Sequence, residues 1–358
     1  MAFSLSTFFT SKRAAPVTRA VGIDIGSSSV KVVELEHTER ALMLRTYGEL
    51  QLGPYAGAEL GETVRLDQKA QTEAVVDVLR ESKAEAKDGV FAMPLASSFM
   101  TVVPVVAASD EELEAKINVE AKKFIPLPLS EVTLNWTTLS KVGEIESSSQ
   151  EVLLAAIENK ALGEYNLLLN SIGMTAQPSE IEVFSTVRSL VSESSGYTAI
   201  LDIGAKTTKL YLTCNGYVER VHRVPVGGAA VTNKLAQLLS LSWTQAEEFK
   251  RSSGSDQERL RDIHNTVSAV FESPLREFAR VISRYEATTQ IPIQKIVLTG
   301  GGAATLGINK LTETVMQRLV VTADPFAHVG YPAFMEDELK QIGPSFSVAL
   351  GAAQRLFM

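Results

Sequence analysis

Two stretches of the chain carry nearly the same pattern of apolar and polar positions. Ala20–Ile23 is an apolar run that enters Asp24-Ile25-Gly26-Ser27-Ser28-Ser29-Val30-Lys31 and continues as the β-rich run Val30–Leu35. Half a chain later, Thr198–Leu201 enters Asp202-Ile203-Gly204-Ala205-Lys206-Thr207-Thr208-Lys209 and continues as Lys209–Thr213. Each copy predicts a strand, a turn of small residues and a second strand. Asn215-Gly216 is a two-residue hairpin signal before a third strand, Tyr217–Val224, and Leu42–Leu50 fills the same place in the first copy. A meander followed by helices, repeated once, predicts two similar α/β domains facing each other. The spacing is far longer than the about 20–50 residues of a solenoid repeat.

Between the copies the periodicity changes. Gln71–Lys83 places Ala74, Val75, Val78 and Leu79 on one side of a helix, and Gly89–Pro94 reads as a strand. Ser109-Asp110-Glu111-Glu112 is a capping box that opens a helix through Leu113, Ile117 and Phe124, which Pro126 and Pro128 stop. Glu131–Leu139 alternates like a half-buried strand, Glu151–Ile157 is a more apolar one, and Ser147-Ser148-Ser149 marks a turn between them. The expected domains are 20–95 with 175–197, an inserted α+β subdomain over 96–174, and a second half over 198–358. In that half Thr244–Arg251 reads as a helix, Glu258–Gln290 as a long helix bent at Pro274, and Lys295–Thr299 as a strand. Residues 1–19 form a tail in which Phe3, Leu5, Phe8 and Phe9 precede Lys12, Arg13 and Arg19. That order is the reverse of a secretory signal. A disordered tail and a short membrane-surface or partner-binding segment are both open readings of it.

At 358 residues the chain has room for two domains. A hydrophobic fraction of 45% with 21% charged residues is that of an ordinary globular protein. The net charge of -8 argues against a nucleic-acid partner, which would want a basic face. The single cysteine, Cys214, reads as packing rather than as a reactive thiol, and His37, His222, His264 and His328 have no ligand-like spacing. No stretch approaches the roughly 20 apolar residues of a membrane span, since Met100–Ala108 is short and interrupted by Pro104.

The paired turns carry the chemistry. Glycine and small hydroxyl residues let backbone N–H groups approach phosphate oxygens without obstruction. Gly26, Ser27, Ser28, Ser29 and Lys31 are the candidates in the first copy; Gly204, Ala205, Lys206, Thr207 and Thr208 are those in the second. An aspartate at a strand end can hold hydrated magnesium, which keeps several waters and takes one or two carboxylates, so Asp24 and Asp202 are the candidate metal ligands. Gly300-Gly301-Gly302, in Leu298–Ala304, would let the chain pass close to a flat base and ribose; a simple tight turn is the competing reading. The chain has no G-x-x-x-x-G-K-[ST] stretch, which sets aside a P-loop ATPase.

Together these motifs resemble the actin–Hsp70–hexokinase superfamily over nearly the whole chain, with duplicated ribonuclease H-like domains and a site for ATP and Mg2+. On that resemblance Glu247 and Lys250, in A-E-E-F-K, would line the nucleoside pocket, although a solvated helical face also explains them. Gly351 would lie in the second connecting helix. Glu182, or else Glu180, would orient or activate the attacking water, against a merely structural carboxylate.

V-G-I-D-I-G-S-S-S-V-K-V-V-E-L, E-A-K-K-F-I-P-L-P-L-S-E-V-T-L-N-W and R-V-P-V-G-G-A-A-V-T are similar to the PilM family of type IV pilus assembly, a relative of FtsA. F-I-P-L-P discriminates best, because it lies outside the nucleotide motifs. FtsA chains usually continue through a linker into an amphipathic membrane helix, whereas this sequence reaches Q-R-L-F-M directly after the connecting helix. The PilM resemblance implies a cytoplasmic ATP-binding scaffold at the inner face of the cytoplasmic membrane, at most a slow ATPase. Its partner would be the N-terminal cytoplasmic peptide of a PilN-type inner-membrane protein. Pilus motor components and self-association remain open. The alternatives are an FtsA-like or filament-forming bacterial actin and a small-molecule kinase. Glu49–Gln68, rich in turn residues, has no assigned role.

Overall fold

The computed structural model of the protein describes residues 17–107, 109–139, 149–176, 179–191, 196–251 and 256–358. All but the last residues of the expected tail, and Ser147 and Ser148 of the expected turn, lie outside the described residues.

Strands β1 (Arg19–Ile25), β2 (Ser29–His37) and β3 (Leu42–Gln51) form an antiparallel meander. Helix α1 (Gln68–Glu81) follows, its N-terminus capped by the Asp67 carboxylate, which accepts from the Ala70 amide. Strand β4 (Asp88–Met93) returns parallel to β1. The chain then leaves this sheet for β5 (Ser98–Val106), α2 (Asp110–Phe124), β6 (Val132–Leu139) and β7 (Ser149–Glu158). The three strands make a separate antiparallel sheet in the order β5-β7-β6. Ser109 caps α2 by accepting from the Glu112 amide, as the capping box predicts. At four-residue spacing Leu113, Ile117 and Ala121 bury one helix stripe against Val103, Val105, Val152 and Leu154. Helix α3 (Asn159–Ser171) brings Leu168 and Leu169 back into the core of the first sheet. The short strands β8 (Thr175–Ala176) and β9 (Glu180–Ile181) pair with β4, and α4 (Glu182–Leu190) follows at once.

The second half repeats the plan. β10 (Tyr197–Ile203), β11 (Thr208–Cys214) and β12 (Tyr217–Val224) are a second meander. Asn215 and Gly216 turn its hairpin with φ of 49° and 81°, the left-handed pair such turns demand. Helices α5 (Gly228–Leu239), α6 (Trp243–Arg251) and α7 (Gln257–Thr289) come next, and α7 runs as one element through the buried Pro274. Then follow β13 (Lys295–Thr299), α8 (Ile308–Met316), β14 (Leu319–Thr322), α9 (Glu336–Ile342) and α10 (Ser347–Gln354). The two main sheets have the same order, β3-β2-β1-β4-β8 and β12-β11-β10-β13-β14.

Each sheet has one face covered by helices of its own half and the other by a helix from elsewhere. Val21, Ile23, Val30 and Val32 of the first sheet pack on Ala74, Val75 and Val78 of α1. The opposite face, through Ala20, Val90, Ala92, Val33 and Leu35, packs on α10 through Val348, Ala349, Leu350 and Ala352. In the second sheet, Leu201, Leu210 and Leu212 face α5 and α7, while Ile200, Tyr211 and Val297 face Val183, Phe184 and Val187 of α4. Thus α4 and α10 lie between the halves and cross. Two glycines allow the approach: a Cβ on Gly22 of β1 would lie 2.0 Å from the Ala349 carbonyl oxygen, and one on Gly351 only 1.8 Å from that of Ser185.

Candidate functional site

A cleft of about 530 Å³ opens between the two main sheets, at the ends of β1 and β10. Its floor is built twice from the same pieces. In the first turn the Gly26 amide donates to the Ser29 carbonyl at 2.9 Å, and in the second the Gly204 amide donates to that of Thr207 at 2.9 Å. The strand registers match too, with Asp24 opposite Lys31 and Asp202 opposite Lys209. The backing of the turns differs. Leu52 and Val64 amides bond to the Ser28 and Ser27 carbonyls, so the 52–66 loop supports the first turn. Gly228 and Ala229 amides bond to the Gly204 and Ala205 carbonyls, so the N-terminus of α5 supports the second.

Most of the sequence-derived candidates line this cleft: Asp24, Gly26, Ser27, Ser28, Ser29, Lys31, Glu182, Asp202, Gly204, Ala205, Lys206, Thr207, Glu247, Lys250, Gly300, Gly301 and Gly302. Two do not. The Thr208 side chain is buried and donates to the Val226 carbonyl at 2.7 Å, because alternate residues of β11 face opposite ways. Glu180 is fully buried and holds Arg188 and Arg355, with the Ser185 hydroxyl donating at 2.6 Å. Burial opposes its charge, but the two guanidiniums keep its carboxyl below the ordinary carboxylate range. Glu180 ties the connecting helices together and does not reach a substrate in the cleft, which corrects its reading as a catalytic candidate.

The three glycines after β13 differ in what they do. Gly300 has φ of 83°, and a Cβ there would fall 2.4 Å from an Asp202 carboxylate oxygen. A Cβ on Gly302 would strike the Ile203 side chain at 2.3 Å, whereas one on Gly301 would meet nothing within 4 Å. Only Gly301 is open to the cleft in this sense.

At the far wall Glu247 accepts from Lys250 at 2.6 Å and from the Thr232 hydroxyl at 2.6 Å. Burial disfavours both charges of this pair; the contact with Lys250 nevertheless holds Glu247 below its ordinary value, while burial leaves Lys250 below its own. The 49–68 region gains a place here. Glu59 accepts from the Thr244 amide at 2.8 Å, and Gly61 lies close to Glu247 and Trp243, so this loop of the first half reaches α6 of the second.

At the centre, Lys209 lies 2.5 Å from Glu182 and 3.3 Å from Asp202. Glu182 also accepts from the Leu95 amide at 2.7 Å, and Asp202 from the Tyr211 hydroxyl at 3.1 Å. Burial works against the ammonium, but Glu182, Tyr211 and Asp202 carry its pKa well above the ordinary value. Asp24 is pushed up to about 6, chiefly by burial, against the pull of Lys31. The expectation that Asp24 and Asp202 carry a magnesium ion meets an ammonium already seated between Asp202 and Glu182. Among the described residues no three of His, Cys, Asp and Glu come together as a direct metal-holding group. Direct coordination of a divalent ion by Asp202 therefore requires Lys209 to move. Glu182 is likewise engaged twice, which leaves it poorly placed as a base.

Lys209, Arg223, Gly228 and Ala229 line the cleft and were not singled out as site residues from the sequence. The Lys31 reading, transferred to the second copy, points to Lys209. Gly227-Gly228 opens α5, whose first amides are spent on the Gly204 and Ala205 carbonyls and so back the second turn. The cleft thus gathers lysines, two arginines and two amide-rich turns beside the carboxylates of Asp24, Glu49, Glu182, Asp202 and Glu247. Cys214 is buried, and burial raises its thiol, which makes it inert packing.

Two halves of one strand order, facing turns and crossed connecting helices define an actin-like protein. The match of the type IV pilus assembly protein PilM family model over residues 22–357 is nearly the full length, and the chain belongs to that family. It is 22% identical over 366 aligned positions to the cell division protein FtsA of Bacillus subtilis strain 168, covering 88% of this chain and 81% of the relative. Among solved structures, a PilM-PilN type IV pilus biogenesis complex superposes with a TM-score of 0.79 at 23% identity, covering 95% of this chain and 98% of the other. MreB 5 of Spiroplasma citri bound to AMPPNP gives 0.52 at 12% identity, with 93% and 94% covered. Among the described residues no helix is long and apolar enough to cross a membrane.

Proposed function

We propose that the cleft binds ATP and that the chain is a nucleotide-holding scaffold of type IV pilus assembly. The observation that carries this is the matched pair of turns, with the same internal hydrogen bond, facing one cleft. The turn amides, the second turn backed by the N-terminus of α5, are suited to the phosphates, and the Gly300–Gly302 wall with Glu247 and Lys250 to the nucleoside. Hydrolysis is slow, because Glu182 is held by Lys209 and the Leu95 amide rather than by a water. The partner is the N-terminal cytoplasmic peptide of a PilN-type inner-membrane protein, which brings the scaffold to the membrane. It lies extended in a groove between the first domain and the inserted subdomain, where addition to an edge strand or an apolar groove would suit it.

Gly301→Phe tests the nucleotide reading, since the new side chain enters open space rather than a packed neighbour. Calorimetry should show ATP affinity falling at least about tenfold while the melting temperature stays near that of the parent. Unchanged affinity would remove the cleft from the account. For the partner, a chain in which a short linker replaces residues 98–158, so that α3 stays in the core of the first sheet, should lose the peptide and keep ATP; capture of the peptide by that chain would refute the assignment.

A further inference from the structure

The two halves place a lysine at the same point and use it differently. In the first sheet Lys31 of β2 stands opposite Glu49 of β3, and the pair closes at 3.1 Å, with the Ser29 hydroxyl accepting from the same ammonium at 2.6 Å. Lys31 is therefore held within its own sheet. In the second sheet the residue opposite Lys209 is Arg223 of β12, a like charge. Directly opposed like charges repel, so Lys209 has no partner on that strand. Its ammonium turns instead to Asp202 of its own sheet and to Glu182 at the first position of α4, the helix that joins the halves.

That is the ground between the two turns where a cation would be needed to offset a triphosphate. We propose that the Lys209 ammonium is the resident cation of this site, so that the nucleotide binds without requiring a divalent ion. The proposal rests on the nucleotide reading above and deepens it. An ammonium has three N–H donors; Glu182 and Asp202 engage two, and Lys209 lines the cleft where the third can meet an anion. A divalent ion bound by Asp202 and Glu182 would have to displace an ammonium from two carboxylates, and all three groups are largely buried. The ammonium, being covalently attached, loses no translational freedom in taking the place.

The test is ATP affinity by calorimetry in excess magnesium and in excess EDTA. The chains compared are the wild type, Lys209→Met, and the double variant Lys209→Met with Glu182→Gln. The double variant removes both members of the closest pair, so that one carboxylate, Asp202, rather than two is left without a counterion if the single variant fails to fold. The wild type should bind within about threefold in the two conditions. The variants should lose at least about tenfold in EDTA and recover with magnesium, because Asp202 is then open to the ion. A wild type that needs magnesium for binding overturns the proposal, as does a double variant indifferent to the metal. Absence of ATP binding in both conditions fails the nucleotide reading itself, a result distinct from the other two.

Discussion

A single methyl group at Gly351 should separate the two connecting helices. A Cβ built there lies 1.8 Å from the Ser185 carbonyl oxygen and 2.5 Å from its carbon, both backbone atoms of α4 that cannot rotate away. Relief needs a carbon–oxygen separation of about 3.3 Å, so the helices must part by roughly 1.5 Å. Overpacking of this kind costs about 1–3 kcal/mol. The Arg188 guanidinium donates to the Gly351 carbonyl at 2.9 Å, and stretching that charged bond adds about 1.5–3 kcal/mol. Better helix propensity returns at most about 1 kcal/mol. Gly351→Ala should therefore destabilise the protein by about 1.5–5 kcal/mol and, for a chain of this length, lower its melting temperature by roughly 2–7 °C. Calorimetric melting beside Gly163→Ala separates geometry from propensity. Gly163 lies exposed in α3 with nothing within 4 Å of a new Cβ, and its substitution should stabilise by about 0.5–1 kcal/mol. If Gly351→Ala melts with the wild type, the crossing is not set by the glycine and the account of the helix pair fails.

Glu180→Gln leaves Arg188 and Arg355 buried without their counterion and should cost about 3–5 kcal/mol at neutral pH. Because the folded protein holds this carboxyl below its ordinary pKa, the wild-type advantage is present above about pH 4.3 and is lost as pH falls through the folded value. Urea titrations at several pH values should show the gap narrowing on acidification; a gap constant down to pH about 3 would contradict the ion-pair account. Glu59→Gln weakens the link to the Thr244 amide, and hydrogen exchange there should quicken by roughly two- to fivefold. Unchanged exchange at Thr244 would mean the 52–66 loop does not hold α6.

Much of this architecture could be read from the chain because its signals are local. The D-I-G copies, Asn215-Gly216 and the Ser109 capping box each specify backbone geometry within a few residues, and all three sit where those rules place them. Side-chain direction was harder. Thr207 and Thr208 look alike in sequence, yet strand alternation sends one into the cleft and the other to the Val226 carbonyl. Glu180 and Glu182 would share a face on a strand, but the chain changes from β9 to α4 between them, so one enters the core and the other the cleft. The partners of Lys209 could not be read locally. Glu182 is brought to it by the packing of α4 on the second sheet, and Arg223 by a register across β12 that includes a shift at Leu212/Thr213.

The exchange of covering helices has a consequence for how the protein comes into being. Among the described residues, Ala20, Val90 and Ala92 on one face of the first sheet pack with Val348, Ala352 and Leu356, and Val17 and Phe357 lie against the same cluster. Gly22 is shaped for a helix backbone that arrives more than three hundred residues later in the chain. During synthesis the first half therefore emerges before the helix that packs on this sheet face. Domains usually fold in order of emergence. Here the packing of the first sheet is completed only once α10 has been made.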